Sequence, residues 1–110
     1  MEWTLERRGG TMIGRPGGRV DESSWQEFAD KLTDAVGQAA MDGHRLVVDF
    51  SGLDYMSSRG LRALTMARRE ADAAKVSIIL ASPSAIMREI LAISRYDKIF
   101  EVVDHLDSVA

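Results

Sequence analysis

Leu46-Val47-Val48-Asp49-Phe50 is almost continuously apolar and lies between two segments of helical periodicity. A strand loses its apolar–polar alternation when both of its faces are covered, so this run belongs in the middle of a sheet. Val76 to Leu80, VSIIL, has the same character. Buried strands separated by amphipathic helices imply α/β layering, with parallel pairs joined by right-handed crossovers. At 110 residues the chain has room for one core and reads as a single domain, 1–110.

The flanking segments fit that plan. Trp3 to Arg8 and Thr11 to Arg15 are β-compatible, and Gly9-Gly10 between them suits a hairpin turn. The second strand resumes toward Val20 after an irregularity at Pro16. The hairpin makes the sheet mixed. Trp25, Phe28, Ala29, Leu32, Ala35, Val36, Ala39 and Ala40 recur at helical spacing. Ser24 and Glu27 form a capping-box pattern before them, and Gly43 suits the stop. Ser51-Gly52-Leu53-Asp54 reads as a loop. A second helix follows with Ser57 or Ser58 at its N-cap and Leu61, Leu64, Ala67, Ala71 and Ala74 on one side. Ser82-Pro83 predicts an N-cap followed by proline at the first helical position. Ile86, Met87, Ile90 and Leu91 then face inward. Ile99 to Val103 predicts a last strand, and Asp104 the cap of a final turn.

Composition narrows the function classes. There is no cysteine, which removes disulfides and thiolate chemistry and fits a reducing cytosol. A net charge of −3 offers no basic field for nucleic acid. No apolar run approaches the roughly 18 residues of a membrane span, and Met1 starts a charged, Gly-rich stretch rather than a basic–apolar signal, so no export is implied. No G-x-S-x-G elbow or P-loop is present. His44 and His105 read as surface or end residues without metal-ligand spacing. No cofactor is implied.

Ligands and switches in α/β sheets favour the carboxyl ends of strands. The loop after Phe50 is therefore the place to look. Ser57 and Ser58 have two readings. One is N-capping, in which a hydroxyl accepts from an orphan N–H. The other is phosphorylation, since a helix N-terminus tolerates a phosphate and Arg59 and Arg62 add cationic donors. Gly60 is either tolerated in the first turn or required for a close approach. Arg59, Arg62, Arg68 and Arg69 read as a solvated face with some pairing to Glu70 and Asp72, or as a contact surface for an acidic partner. Met41, Met56, Met66 and Met87 read as core or edge filler. Asp21 and Asp49 sit at strand ends and could share a surface. A response-regulator role for Asp49 lacks the acidic residues such a Mg²⁺ site needs. An enzyme built on Asp21, Asp49 and Ser58 has no recognisable mechanism.

The segment LVVDFSGLDYMSSRGLRAL, Leu46 to Leu64, resembles the signature region of STAS domains, and in particular the bacterial anti-sigma factor antagonists. Gly18-Arg19-Val20-Asp21 is similar to the family's strand end before the first helix, and Ser82 to Phe100 to its late helix and short strand. The resemblance implies a STAS-like mixed β-sheet with packed α-helices. It implies a protein-binding switch rather than an enzyme. Ser58 matches the family serine phosphorylated by an anti-sigma factor with serine-kinase activity, with Ser57 as the alternative phosphosite. The unphosphorylated form would bind that partner and release a sigma factor, and a serine phosphatase would restore it. Asp21, Ser57, Ser58, Arg59, Gly60 and Arg62 would form the partner surface, in the cytoplasm, without direct nucleic-acid binding or membrane insertion. Ser57 stands where many members carry Asp, and Arg59 where many carry Ser or Ala. The alternative is a STAS subunit of another assembly, such as a lipid-transport ATP-binding-cassette partner or a stress-signalling complex, without sigma control.

Overall fold

In the computed structural model, which describes residues 1–109, the apolar run forms β3 (Arg45–Asp49) at the centre of a six-stranded mixed sheet. The other strands are β1 (Glu2–Arg8), β2 (Thr11–Val20), β4 (Leu53–Met56), β5 (Ile78–Ala81) and β6 (Glu101–Val103). Three helices connect them: α1 (Trp25–Asp42), α2 (Ser58–Ala74) and α3 (Ala85–Ile93). The sheet order is β1-β2-β3-β5-β6, and β4 pairs with β2. Only β1 runs antiparallel to its neighbour.

The two faces of the sheet are covered differently, and β3 shows it residue by residue. Leu46, Val48 and Phe50 enter the main core with Phe28, Leu32 and Val36 of α1 and Leu64, Ala67 and Ala71 of α2. Met87 and Leu91 of α3 close that core. On the opposite face Val47 packs with Ile79 and Ala81 under Val103, Leu106 and Val109. The C-terminal turn thus covers a small second core, tied down by the Arg45 guanidinium on the Val109 carbonyl. Both sides of β3 are dry, which accounts for its unbroken apolar run.

Several local expectations change. Leu53-Asp54 is not loop but the start of β4, which lies parallel to Gly18–Val20 beside an irregularity in β2. Its four residues carry too little pattern to announce a strand; pairing with β2 makes it one. Ser24 does not cap α1 with its side chain. The Ser82-Pro83 expectation is displaced by two residues. Ser84 is the N-cap, accepting from the Met87 N–H at 3.2 Å, while Ser82 has φ 54° and accepts from the Leu106 N–H at 2.9 Å. Ile86 faces solvent and Ile90 is half-buried. Ala40 and Ala74 are exposed, whereas Ala63 is buried. The fifth strand starts at Ile78, and Tyr96–Lys98 is a 3-10 turn that shortens the last strand to Glu101–Val103. Asp104 caps nothing; it pairs with Arg88 at 3.0 Å, and the final turn begins after His105. Met56 and Met87 are core, but Met41 and Met66 are exposed. No helix among the described residues is long and apolar enough to cross a membrane.

Candidate functional site

The site is built where β2 and β4 end side by side and each hands the chain to a helix. The Ser57 N–H donates to the Val20 carbonyl at 2.8 Å, locking the β4–α2 junction to the end of β2. Ser57 is the N-cap: its hydroxyl accepts from the Gly60 N–H at 3.3 Å. Ser58 is the first helical residue and is exposed. Of the two serines that could cap α2, the structure takes Ser57. Ser57 is engaged by the fold, and Ser58 presents its side chain to solvent.

Gly60 is buried. A Cβ there would lie 2.5 Å from Met56 Cγ and 2.8 Å from Val20 Cγ1. The glycine lets the first turn of α2 settle against β2 and β4, so the close approach it serves is to its own domain. It shapes the surface from beneath.

The first turn of α2 contains no acidic residue. Its positive dipole end and free N–H groups are opposed only by the neutral Ser57 cap. Arg59 follows Ser58, extends to Glu22 at 3.5 Å, and places its guanidinium 5.4 Å from the centre of the Trp25 ring. Arg59, Arg62, Trp25, Ala29, Ala63 and Met66 line a shallow groove of about 280 Å³ between α1 and α2. Glu22, Trp25 and Met66 were not among the residues expected at the site. Trp25 reads as part of the α1 apolar stripe, but it stands at the helix start and is only half-buried, packed against the margin of the main core.

Asp21 lies on the adjoining β2–α1 turn. Its carboxylate accepts from the Ser23 hydroxyl at 2.8 Å and the Ser23 N–H at 3.0 Å. These bonds hold its pKa below the ordinary carboxylate range, with Ser24 and the Arg19 charge adding to the effect. The Asp21 carbonyl accepts from the Ser24 and Trp25 N–H groups, and the Ser24 hydroxyl donates to Arg19 O at 3.0 Å. Asp21 thus orders the turn that opens α1. It reaches the α2 site through its neighbour Glu22, which holds Arg59.

Asp49 belongs elsewhere. It is buried, accepts from Arg15 Nε at 3.2 Å and from the Ser51 N–H at 3.0 Å, and forms part of an Arg15–Glu6 network on the far face. Asp21 and Asp49 hold separate networks rather than one acidic surface. Arg68 pairs with Asp72 at 4.0 Å as expected, but Glu70 bonds Thr33 of α1 instead of an arginine. His44 is not a simple surface residue: it is half-buried, and its Nδ1 is enclosed without a partner among the described residues. No group of three or more His, Asp or Glu among the described residues is placed to hold a metal ion.

Comparison with known proteins agrees with this fold. Residues 2–109 match the family profile of the STAS domain. The chain is 34% identical over 85 residues to a STAS-domain containing protein of Pseudomonas aeruginosa, covering 77% of this chain and 80% of that one. It is 26% identical over its full 110 residues to BtrV of Bordetella bronchiseptica, provisionally named an anti-sigma factor antagonist, covering 92% of it. Among solved structures, the unphosphorylated anti-sigma factor antagonist SpoIIAA superposes with a TM-score of 0.70 at 22% identity, covering 97% of this chain and 92% of that one. Phosphorylated SpoIIAA of Bacillus superposes with a TM-score of 0.65 at 24% identity, covering 92% and 90%. At these identities the structural likeness is one of fold.

Proposed function

The chain belongs to the STAS domain family, and from that premise we propose that it is an anti-sigma factor antagonist switched by phosphorylation of Ser58. The observation that carries the proposal is the exposed Ser58 hydroxyl at the start of α2, in a first turn that holds basic and no acidic side chains. The names of BtrV and SpoIIAA support the role, and SpoIIAA has been solved in both states of phosphorylation.

In this reading residues 1–110 act as one cytoplasmic domain by binding rather than by catalysis. The unmodified surface of Asp21, Ser57, Ser58, Arg59 and Arg62, shaped by buried Gly60, docks on an anti-sigma factor with serine-kinase activity and frees a sigma factor. Transfer of the γ-phosphoryl group of ATP to Ser58 Oγ, with release of ADP and the hydroxyl proton, moves the net charge from −3 to about −5. The helix N–H groups and Arg59 can bond the phosphate without unfolding the domain. Docking is lost because a hydrated dianion now occupies a contact surface, and burying it unpaired is costly. A serine phosphatase reverses the change.

The test is incubation with a kinase anti-sigma factor and ATP, followed by mass spectrometry and calorimetry. Phosphate on Ser58 with loss of binding is the expected result. An unmodified Ser58 together with no binding of the unmodified protein would overturn the reading.

A further inference from the structure

The main path of the sheet, β1-β2-β3-β5-β6, ends in two strands that are not alike. At one end, β6 has three residues. At the other, β1 has seven, with no proline and an uninterrupted register from Glu2↔Gly17 to Arg8↔Thr11. A long, regular edge strand is a template for another strand unless something blunts it.

The backbone groups that β1 offers follow from one pairing. Pro16 stands opposite Trp3. Proline has no N–H, so Trp3 and Pro16 cannot be a pair that exchanges two hydrogen bonds. Antiparallel pairs alternate between bonded and non-bonded. Glu2, Thr4, Glu6 and Arg8 therefore bond toward β2, and the N–H and C=O groups of Trp3, Leu5 and Arg7 point outward along the edge.

A second β1 laid antiparallel must match outward residues with outward residues, which leaves three central registers. Pairing Trp3 with Leu5 sets Glu2 opposite Glu6. Pairing Leu5 with Arg7 sets Glu6 opposite itself. Only the register centred on Leu5 opposite Leu5 avoids facing like charges: it sets Trp3 opposite Arg7, Thr4 opposite Glu6 and Glu2 opposite Arg8. Each hetero-pair occurs twice by symmetry. The strand carries two acids, Glu2 and Glu6, and two bases, Arg7 and Arg8, so two copies meet without net repulsion.

We propose that the β1 edge is a self-association surface, joining two copies of this chain through a two-fold antiparallel β1–β1 pairing centred on Leu5. Such an interface is isologous and closes on itself as a dimer. It involves none of the residues of the Ser58 surface and stands independently of the phosphorylation reading.

A single strand pair is a small interface, so the dimer is weak and is sought by analytical ultracentrifugation from about 10 μM to about 1 mM protein. The experiment uses the chain without an appended N-terminal tag. Glu2→Arg and Arg8→Glu are exposed changes, and circular dichroism checks that each variant folds. The expected result is a concentration-dependent dimer in the native chain, weakened roughly tenfold or more by either single change, since each places like charges opposite one another twice. The double variant Glu2→Arg/Arg8→Glu restores opposite charges in the same register and is expected to regain native affinity within about threefold. A monomer throughout the range would overturn the proposal. So would a dimer that neither single change weakens, or a double variant as weak as the singles.

Discussion

α1 and α2 leave the carboxyl ends of neighbouring strands, and their first turns are in opposite electrostatic company. At α1 the chain supplies its own anions: Asp21 orders the turn, and Glu22 and Glu27 stand near the helix start. At α2 the cap is a neutral serine, the flanking charges are Arg59 and Arg62, and no acid lies in the first turn. A helix N-terminus is a partial positive charge that attracts anions. The first start has that attraction answered internally. The second leaves it open beside an exposed hydroxyl, the position proposed above to receive a phosphate. The Arg59–Glu22 pair links the two.

The largest expected effect sharpens this contrast at Ser58. Phosphorylation should weaken the complex with the anti-sigma factor by roughly a hundredfold, as an uncompensated interface charge costs several kcal/mol. Ser58→Asp should weaken it by roughly tenfold, because a carboxylate carries less charge than a phosphate. Ser58→Ala should bind like the unmodified protein, all by calorimetry. Equal affinities for the alanine and aspartate variants would remove charge as the switch.

Glycines in the two helices offer the next comparison. Gly60→Ala places a methyl against Met56 and Val20 and should destabilise by about 1–3 kcal/mol in urea unfolding. Gly37→Ala in α1 meets open space and should stabilise by up to about 1 kcal/mol. If both changes stabilise, close packing is not what Gly60 serves.

Removing the two serines that precede the helices should separate the starts again. Ser24→Ala strips a buried hydroxyl that accepts from the Asp21 N–H and donates to Arg19 O, at a cost of about 1–3 kcal/mol. Ser57→Ala removes one cap bond, worth about 1 kcal/mol. The reverse order, by the same urea measurement, would mean that the α2 cap carries more of the junction than its single bond suggests.

The smallest effect is a pH dependence confined to the α1 start. The folded pKa of Asp21 lies below its ordinary 3.8, so the carboxylate's stabilisation is fully present above that value. It is lost as pH falls through the folded pKa. The stability difference between the native chain and Asp21→Asn should therefore be constant near neutrality and shrink in acid. The deficit of Ser57→Ala should not follow that pattern, since its cap involves no titrating side chain.

Where sequence reading succeeded and failed follows the range of the interactions. The α1 and α2 stripes and the buried β3 run are local repeats, and each is visible within one segment. The capping expectations at Ser24 and Ser82 had the right residue type, but a serine hydroxyl takes whichever backbone partner the turn brings near. Ser24 finds Arg19 and Asp21; Ser82, at positive φ, finds Leu106. The STAS resemblance placed Ser58 at a helix start, and the fold agrees. It did not reveal that Ser57 is the cap, that Glu22 holds Arg59, or that Trp25 borders a groove.

Local sequence was enough for the α/β class, the covered centre of the sheet, the main apolar stripes of α1 and α2 and the position of the two serines. These depend on periodicity and on the backbone preferences of short stretches. Long-range packing decided that Leu53–Met56 is a strand and why residue 60 must be glycine. Each of those depends on β2 and β4 lying side by side, a contact between segments far apart in the chain that no local pattern encodes.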